Sequence, residues 1–288
     1  MKFLNIRELN DPELDIFSRC SEVQLFRINE PDPGVFVAES ANVIIRALEA
    51  GYKPLKLLVE EERIETEAAP VFEVIKRLYG DVFLDSIPVY SAKREIVTAL
   101  TGYKLVRGLW AVFRRQGLPE LSGFLRDKLR ITVLYDVVNP TNVGAIIRSA
   151  AALGLDGALL TNASVDPLTR RSARVSMGTV FQLPWTKVLK NGPRGTELIK
   201  YLQNTGFTTA AMALTDDTVN VDDPALKAKD RLAVILGTEG TGLPDDIISS
   251  CDYRIMIPMH HGVDSLNVAA ASAVCFYELL KSDNHCNI

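Results

Sequence analysis

The sequence predicts an α/β protein that is built from two domains, and two observations carry this prediction. Apolar runs typical of buried strands alternate with helical patterns along the 288-residue chain, as they do in sheets covered by helices. This alternation is interrupted where Gly117, Pro119 and Gly123 follow one another closely, a spacing that indicates a boundary. The predicted division is a smaller domain at 1–116, a linker at 117–129 and a larger domain at 130–288.

Short strands and amphipathic helices alternate in the smaller domain. Ser40 and Asn42 can cap the helix that follows a strand at 34–38, and Gly51 closes that helix. A second helix is predicted at 69–78, because its apolar residues recur every three or four positions. Further strands are predicted at 54–59, 87–90 and 109–113.

The larger domain alternates more regularly. Segments of helical length separate its apolar runs, and strands connected in this way form a parallel sheet with helices on both faces. The predicted strands are 131–135, 157–161, 208–214, 232–236 and 253–257, and the predicted helices are about 142–153, 197–204 and 266–280.

Composition limits the class of protein. Hydrophobic residues make up 47% of the chain and charged residues 24%, which excludes a wholly disordered protein. No apolar run approaches the roughly 18 residues of a membrane span, and early charges argue against a secretory signal. Four irregularly spaced cysteines predict free thiols in the cytoplasm. Together with three histidines, they predict no metal site.

Charge is distributed unevenly along the chain. The net charge is −4, yet residues 91–130 carry 9 Lys and Arg against 3 Asp and Glu. Tyr103, Trp110 and Phe113 are interleaved with these cations, a mixture that suits phosphate contacts and base stacking. A solvated helix face and linker would have the same pattern. The candidate RNA contacts in this stretch are Lys93, Arg94, Lys104 and Arg107.

The first of three motifs follows the strand at 131–135. Pro140 turns the chain, Asn142 occupies a predicted N-cap, and Arg148 follows six residues later. Gly144 and Ala145 leave room for a close approach. An ordinary α/β helix with a surface arginine remains the alternative interpretation.

The second motif runs from Gly237 to Leu243, directly after an apolar strand. Its three glycines allow the backbone to turn sharply or to approach a ligand closely. Glu239 lies among them and argues against a phosphate, because a carboxylate repels phosphate. The glycine order also differs from the dinucleotide fingerprint, so a cationic or polar ligand fits better.

The third motif joins Ile257-Pro258-Met259 to Ser265-Leu266-Asn267. An alanine-rich helix follows, and either Ser265 or Asn267 can cap it. A serine nucleophile is not predicted, because the G-x-S-x-G pattern is missing around Ser265.

Taken together, the three motifs resemble the SpoU (TrmH-like) family of RNA 2′-O-ribose methyltransferases, which belongs to the SPOUT superfamily. The segment from Arg174 to Pro184 also resembles the family stretch between the first two motifs. The resemblance covers residues 131 to about 280, and the first domain more loosely resembles a substrate-binding domain of the ribosomal-protein L30e type. It implies a SPOUT α/β domain with a deep trefoil knot, preceded by a smaller L30e-like α/β domain.

The resemblance also implies a site and its partners. It implies S-adenosylmethionine as the cofactor, RNA as the substrate and a homodimer, and Arg148 would activate or orient the ribose hydroxyl. The implied catalytic residues are Arg148, Asn142, Glu239, Ser265 and Asn267; the cofactor-binding residues are Leu236, Gly237, Thr238, Gly242, Ile257, Met259, Leu266 and Asn267; and further RNA contacts are Arg170, Arg171 and Arg174.

Ribosomal RNA is the first expectation for the substrate and transfer RNA the second. The alternative is a catalytically silent RNA-binding or ribosome-associated protein with the same fold. A different nucleotide-binding enzyme is disfavoured, because the glycine-rich loop lacks a P-loop lysine.

Overall fold

A computed structural model describes residues 3–30, 32–101 and 108–280 of the chain. It divides into two compact units, each made of two stretches of sequence. The N-terminal unit comprises Met1–Gly117 and Leu168–Gln182, and the C-terminal unit comprises Leu118–Pro167 and Leu183–Ile288. Among the described helices, none has both the length and the apolar character needed to cross a membrane.

Within the described residues, the N-terminal unit contains a mixed five-stranded sheet in the order β1-β4-β3-β5-β2. Strands β1, β4 and β3 run parallel, and β5 is antiparallel to both of its neighbours. The strands are β1 (Phe3–Ile6), β2 (Val35–Glu39), β3 (Pro54–Glu60), β4 (Val89–Ala92) and β5 (Leu109–Arg114), and the α-helices are α1 (Asp15–Ser18), α2 (Glu22–Arg27), α3 (Ala41–Glu49), α4 (Ala69–Tyr79), α5 (Asp81–Ser86) and α6 (Arg94–Thr101).

The described part of the C-terminal unit contains a wholly parallel seven-stranded sheet in the order β10-β12-β9-β11-β6-β7-β8. The strands are β6 (Arg130–Leu134), β7 (Gly157–Leu160), β8 (Trp185–Lys187), β9 (Thr208–Met212), β10 (Val219–Asn220), β11 (Leu232–Leu236) and β12 (Tyr253–Met256), and the helices in the rest of the chain are α7 (Leu121–Leu125), α8 (Pro140–Leu153), α9 (Arg170–Val175), α10 (Thr196–Asn204), α11 (Pro224–Lys227), α12 (Asp245–Ser250) and α13 (Val268–Leu280).

Helices cover both faces of the parallel sheet. Ala233 and Ile235 of β11 pack into a core with residues of α7, α10 and α12. Val234, which points to the other face, lies beside Phe276 of α13, and α13 packs along α8. Because β11 is buried on both faces, its five residues are all apolar. The predicted parallel sheet with helices on both sides is confirmed.

The start of α8 differs from the prediction. Asn139, not Asn142, is the N-cap, and its side chain accepts a hydrogen bond from the Thr141 N–H at 2.9 Å. Pro140 therefore occupies the first helical position, where its fixed φ is favourable and its missing N–H is harmless. Asn142 lies one turn further on, so its amide is available for other contacts.

The segment Leu168–Gln182 packs within the N-terminal unit, although the sequence-based division placed it in the larger domain. Phe181 lies with its ring centroid 5.6 Å from that of Phe36 and 5.4 Å from that of Tyr52. Arg46 of α3 donates a hydrogen bond to the Met177 carbonyl at 2.6 Å. Ring packing and backbone hydrogen bonding thus fix this segment, and neither leaves a periodic signal in the sequence.

Candidate active site

A cavity of about 390 Å³ opens at the carboxyl edge of the parallel sheet. Residues that follow β9, β11 and β12 line it, together with the first turn of α13. Parallel strands end at the same edge, so the second and third motifs meet here although they are far apart in sequence. Leu236 and Ile255 are buried at the inner wall, and Leu266 and Met259 lie in the outer loops.

The glycine-rich loop is closed by its own backbone. The Gly242 N–H donates to the Thr238 carbonyl at 3.2 Å, and the two residues form an antiparallel bridge. A Cβ on Gly237 would lie 2.4 Å from the carbonyl carbon of Gly242, so position 237 has no space for a side chain. Gly240 and Gly242 both have positive φ, at 86° and 68°. The sequence makes this sharp turn possible because glycine adopts such angles without strain.

Three polar side chains from the three motifs converge at the cavity. Asn267 donates its amide to the Asn142 Oδ1 at 3.3 Å and to the Glu239 Oε1. The Oδ1 of Asn267 accepts from the Ala269 N–H at 2.9 Å, so Asn267 also caps α13. One amide therefore holds the first and second motifs at the start of the third motif's helix.

The amide group of Asn142 retains hydrogen-bonding capacity. Asn142 is only 5% exposed, and its Nδ2 has no hydrogen-bond partner within the described chain. Burying an unpaired donor costs free energy. A ligand oxygen that reached this position would satisfy the donor, although Asn142 is not among the residues that line the cavity.

The charges around the cavity have one sign. Among its described lining residues, Glu239 and Asp264 carry carboxylates and none is Lys, Arg or His. A carboxylate favours a nearby positive charge and disfavours an anion. The arrangement therefore suits a ligand with apolar parts and a positive charge.

The structure gathers most of the predicted site residues around this cavity. Glu239 and Ser265 of the predicted catalytic group also line it. The predicted cofactor-binding residues that line the cavity are Leu236, Gly237, Thr238, Gly242, Ile257, Met259, Leu266 and Asn267.

Arg148 is not among the residues that line the cavity. It lies exposed on α8, and no ion pair or hydrogen bond engages its side chain within the described chain. Six residues separate it from Asn142, which places it about 240° around the helix. A single chain therefore does not bring Arg148 to the Asn142 side of α8.

The predicted RNA-binding arginines of the segment Leu168–Gln182 have internal partners. Arg170 contacts the Glu22 carboxylate at 3.1 Å and donates to the carbonyls of Phe17 and Cys20, both at 2.7 Å. Arg174 donates to Glu39 at 3.1 Å. Their interactions with the N-terminal unit give these two residues a structural explanation that the sequence did not reveal.

The other predicted RNA contacts are distributed differently. Lys93, Arg94 and Arg171 are exposed, and the Arg94 Nε lies 3.9 Å from a carboxylate oxygen of Glu60. Lys104 and Arg107 lie outside the described residues. Within the described residues, there is no cluster of three or more His, Cys, Asp or Glu side chains that could hold a metal ion.

Sequence reasoning missed part of the cavity wall. Met212, Ala213 and Leu214 line it at the end of β9, and Val268 and Ala271 line it from α13. The segment at 208–214 was predicted only as a strand. Its place beside β11 depends on the order of strands in the sheet, and no local pattern in the sequence encodes that order.

Comparisons with known proteins identify the family of the chain. The model of the SpoU rRNA Methylase family matches residues 130–277. An uncharacterized tRNA/rRNA methyltransferase of Mycobacterium bovis is 31% identical over 277 residues, which cover 96% of this chain and 91% of that protein.

Two solved structures are similar over nearly the whole chain. An AdoMet-bound rRNA methyltransferase from Sinorhizobium meliloti aligns with a TM-score of 0.73 at 23% identity and covers 96% of this chain and 97% of that one. An RNA 2′-O ribose methyltransferase aligns with a TM-score of 0.73 at 24% identity, with coverage of 96% and 98%. The matches to the family model and to the mycobacterial relative establish that the chain belongs to the SpoU rRNA methylase family, a family of RNA methyltransferases within the SPOUT superfamily.

Proposed function

We propose that this protein transfers the methyl group of S-adenosylmethionine to a ribose 2′-hydroxyl of RNA. The observation that carries the proposal is the cavity at the sheet edge, which combines apolar walls, a tight glycine loop and carboxylates without a basic lining residue. S-adenosylmethionine has an apolar purine face, and its two positive charges, on the sulfonium and the amino group, exceed its one carboxylate, so its net charge is positive. A phosphate-bearing nucleotide would meet repulsion from Glu239 in the same place.

The residues present fit this cofactor. Leu236, Ile257 and Leu266 would hold its adenosine part against apolar walls, and the Gly237 backbone would approach it closely. When bound, S-adenosylmethionine supplies an electrophilic methyl group. Such a displacement depends mainly on positioning, because the nucleophile must approach in line.

The converging amides would position the RNA. The Asn142 Nδ2 would donate to an oxygen of the target nucleotide, and Asn267 would fix the orientation of Asn142 through its Oδ1. The ribose hydroxyl is a weak nucleophile and needs activation. Arg148 would orient the hydroxyl or its neighbouring phosphate, because a guanidinium binds oxyanions and rarely loses a proton.

A homodimer would bring Arg148 to the cavity of a second copy. The C-terminal unit exposes apolar side chains that are typical of an interface core. They lie on α13 and on the loops beside the cavity, and include Val138, Leu214, Val263, Val274 and Tyr277, each at least 39% exposed.

Mixed dimers test the role of Arg148. An Arg148→Ala chain and an Asn267→Ala chain, co-expressed with different tags and purified together, would form one intact site if Arg148 acts across the interface. We expect each variant alone to be inactive and the mixed dimer to regain activity. An inactive mixed dimer would show that Arg148 serves its own chain.

Cofactor binding is tested by filling the cavity from α13. Ala271→Leu places a larger side chain in the cavity wall, whereas Ala225→Leu adds the same volume at an exposed position on α11 that does not line it. In calorimetric titrations with S-adenosylmethionine, we expect binding by the wild type and the Ala225 variant and loss of binding in the Ala271 variant. Equal binding by both variants would show that the cofactor does not bind in this cavity.

The target is tested with tritiated S-adenosylmethionine and separate preparations of bacterial ribosomal and transfer RNA. We propose ribosomal RNA as the substrate, with transfer RNA second, in the cytoplasm. A 2′-O-methyl group protects the adjacent phosphodiester bond from alkaline hydrolysis, which identifies the modified oxygen. Cofactor binding without methyl transfer to either RNA would favour the silent RNA-binding protein.

We also make two proposals about the fold. The C-terminal unit contains a deep trefoil knot, and the N-terminal unit has an L30e-like architecture. Strand β11 lies between β6 and β9, although it follows both in the chain. The chain thus returns to the middle of a sheet that it has already begun, as a knotted connection requires. Comparison of refolding rates between the intact chain and one cut within the 213–218 loop tests the knot, since threading slows folding.

A further inference from the structure

A second cavity, of about 230 Å³, lies at the carboxyl ends of β6 and β7. Its volume is below the roughly 300–1,000 Å³ that drug-sized ligands occupy, and therefore suits a group as small as one nucleobase. The cavity adjoins the candidate cofactor cavity across one strand. The Tyr135 N–H donates to the Leu236 carbonyl at 2.8 Å, and these two residues line the second and the first cavity respectively.

Asp136 is held rigidly at the wall of this second cavity. Its backbone has a φ of 54°, a left-handed angle that aspartate and asparagine adopt more readily than most residues with a side chain. The Thr161 hydroxyl stabilises the turn, because it accepts from the Asp136 N–H at 2.8 Å and donates to the Asp136 Oδ1 at 2.7 Å.

Groups of opposite charge face the cavity. Arg194 lines it two residues before α10. Its guanidinium donates to the Lys190 carbonyl, and no ion pair joins Arg194 to Asp136 among the described residues. Leu198 and Tyr135 also line it. Burial, followed by the nearby carboxylates of Asp136 and Asp246, raises the pKa of Tyr135, so its ring stays neutral.

We propose that this cavity binds a guanine base. Guanine presents two adjacent N–H donors, N1–H and the 2-amino group, which match the carboxylate of Asp136. Its O6 and N7 are acceptors on the neighbouring edge, and arginine is the common partner of that pair. The Tyr135 ring would pack against the base face, as aromatic side chains do with unpaired RNA bases. Adenine, cytosine and uracil lack this combination of donors and acceptors.

The proposal rests on the proposed RNA methyltransferase function. A guanosine bound here would lie beside the methyl-transfer site, and would therefore help to select the nucleotide that enters it. Free guanine nucleotides offer the same chemistry, so the experiment must separate the two sources.

Binding of 5′-GMP and 5′-AMP to the full-length protein, measured by saturation-transfer NMR, tests the base preference. We expect GMP to bind at least about tenfold more tightly than AMP, given what one well-paired base contact contributes. Asp136→Asn keeps the left-handed turn, which asparagine tolerates, and keeps an acceptor for Thr161, yet it cannot accept both guanine donors. We expect this variant to lose about tenfold in GMP affinity, whereas Asp245→Asn on the exposed start of α12 keeps it.

Two outcomes would overturn the guanine site: equal affinity for GMP and AMP, or GMP binding that is unchanged in Asp136→Asn. A five-nucleotide RNA with one central guanosine, compared with GMP, distinguishes RNA from free guanine nucleotides as the natural ligand. The ligand that binds more tightly is the natural one. S-adenosylmethionine binding, measured on the same preparations, reports separately on the proposed function and on correct folding. If GMP binding gives either of those two outcomes while cofactor binding is intact, only the guanine site is overturned and the proposed function stands.

Discussion

At the scale of single residues, Asn267 combines two tasks in one side chain. Its Oδ1 caps α13, and its amide nitrogen joins Asn142 to Glu239. Serine can also cap a helix, but its hydroxyl is too short to join the other two groups. The two tasks are therefore separable by substitution.

We predict different effects for Asn267→Ser and Asn267→Ala. The serine variant keeps the cap, so its unfolding free energy stays close to that of the wild type while methyl transfer falls strongly. The alanine variant loses the cap as well and is destabilised by about 1 kcal/mol. Urea unfolding and methylation assays on the same samples measure the two effects, and equal stability of both variants would contradict the capping role.

Two buried cysteines give a prediction about reactivity. Burial raises the pKa of Cys251 to about 11 and raises the pKa of Cys275 further. Since only the thiolate reacts, we expect both to resist iodoacetamide at pH 8 in the native protein and to react after unfolding. Unfolded thiols ionise near pH 8.5, whereas the buried thiols of the folded protein stay protonated at that pH. The free energy of unfolding therefore falls as the pH rises above that value. Peptide mass spectrometry measures the labelling of each cysteine. Rapid labelling of Cys275 in the native protein would contradict its burial.

At the scale of elements, we predict that substitutions in the glycine loop have effects that depend on the position substituted. Gly237→Ala would bring a Cβ within 2.4 Å of the Gly242 backbone, whereas nothing lies within 4 Å of a Cβ on Gly240. Asparagine tolerates the positive φ of Gly240. We expect Gly237→Ala to abolish S-adenosylmethionine binding and Gly240→Asn to retain a native loop, as calorimetry and thermal unfolding would show. Normal binding by Gly237→Ala would mean that the loop can open without loss of function.

The elements that the sequence predicted well are those with long apolar runs. The five predicted strands of the larger domain all exist within a residue or two of their expected bounds. Trp185–Lys187 and Val219–Asn220 were missed, because strands of two or three residues have no measurable periodicity and form only beside a partner. Site residues at strand ends could be inferred from the motifs, since parallel strands end at one edge. The positions of Arg170 and Arg148 could not, because they depend on packing between distant segments.

Arg170 tests how the segment Leu168–Gln182 is held. Its guanidinium contacts Glu22 and two main-chain carbonyls of the N-terminal unit, so Arg170→Ala would leave these acceptors unpaired at a cost of about 1–3 kcal/mol. Each of the three guanidinium nitrogens contacts a different acceptor. The single nitrogen of a lysine cannot lie beside all of them, and we expect Arg170→Lys to recover only part of that stability. Denaturant unfolding measures both, and a wild-type midpoint for Arg170→Ala would show that ring packing alone holds the segment.

At the scale of the whole molecule, the two units are not consecutive in sequence. The chain passes between them at 117–118, at 167–168 and again at 182–183. The N-terminal unit therefore depends on a segment that the chain supplies only after β6 and β7 of the other unit. A fragment that ends at Gly117 would lack this segment, and would uncover the buried ring of Phe36 beside Tyr52.

We predict that fragment 1–117 is less stable than the same fragment extended through a flexible linker by residues 168–182. Each kcal/mol of stabilisation raises the unfolding temperature of a domain of this size by about 4 °C, so calorimetry resolves the difference. The matched control carries Phe181→Ser and Arg170→Ala in the extension, which removes the ring contact and the guanidinium contacts while it keeps the length. If the extended fragment and its control unfold at the same temperature, the segment contributes nothing specific. A higher temperature only for the intact extension establishes that a stretch within the SpoU-like sequence completes the N-terminal unit.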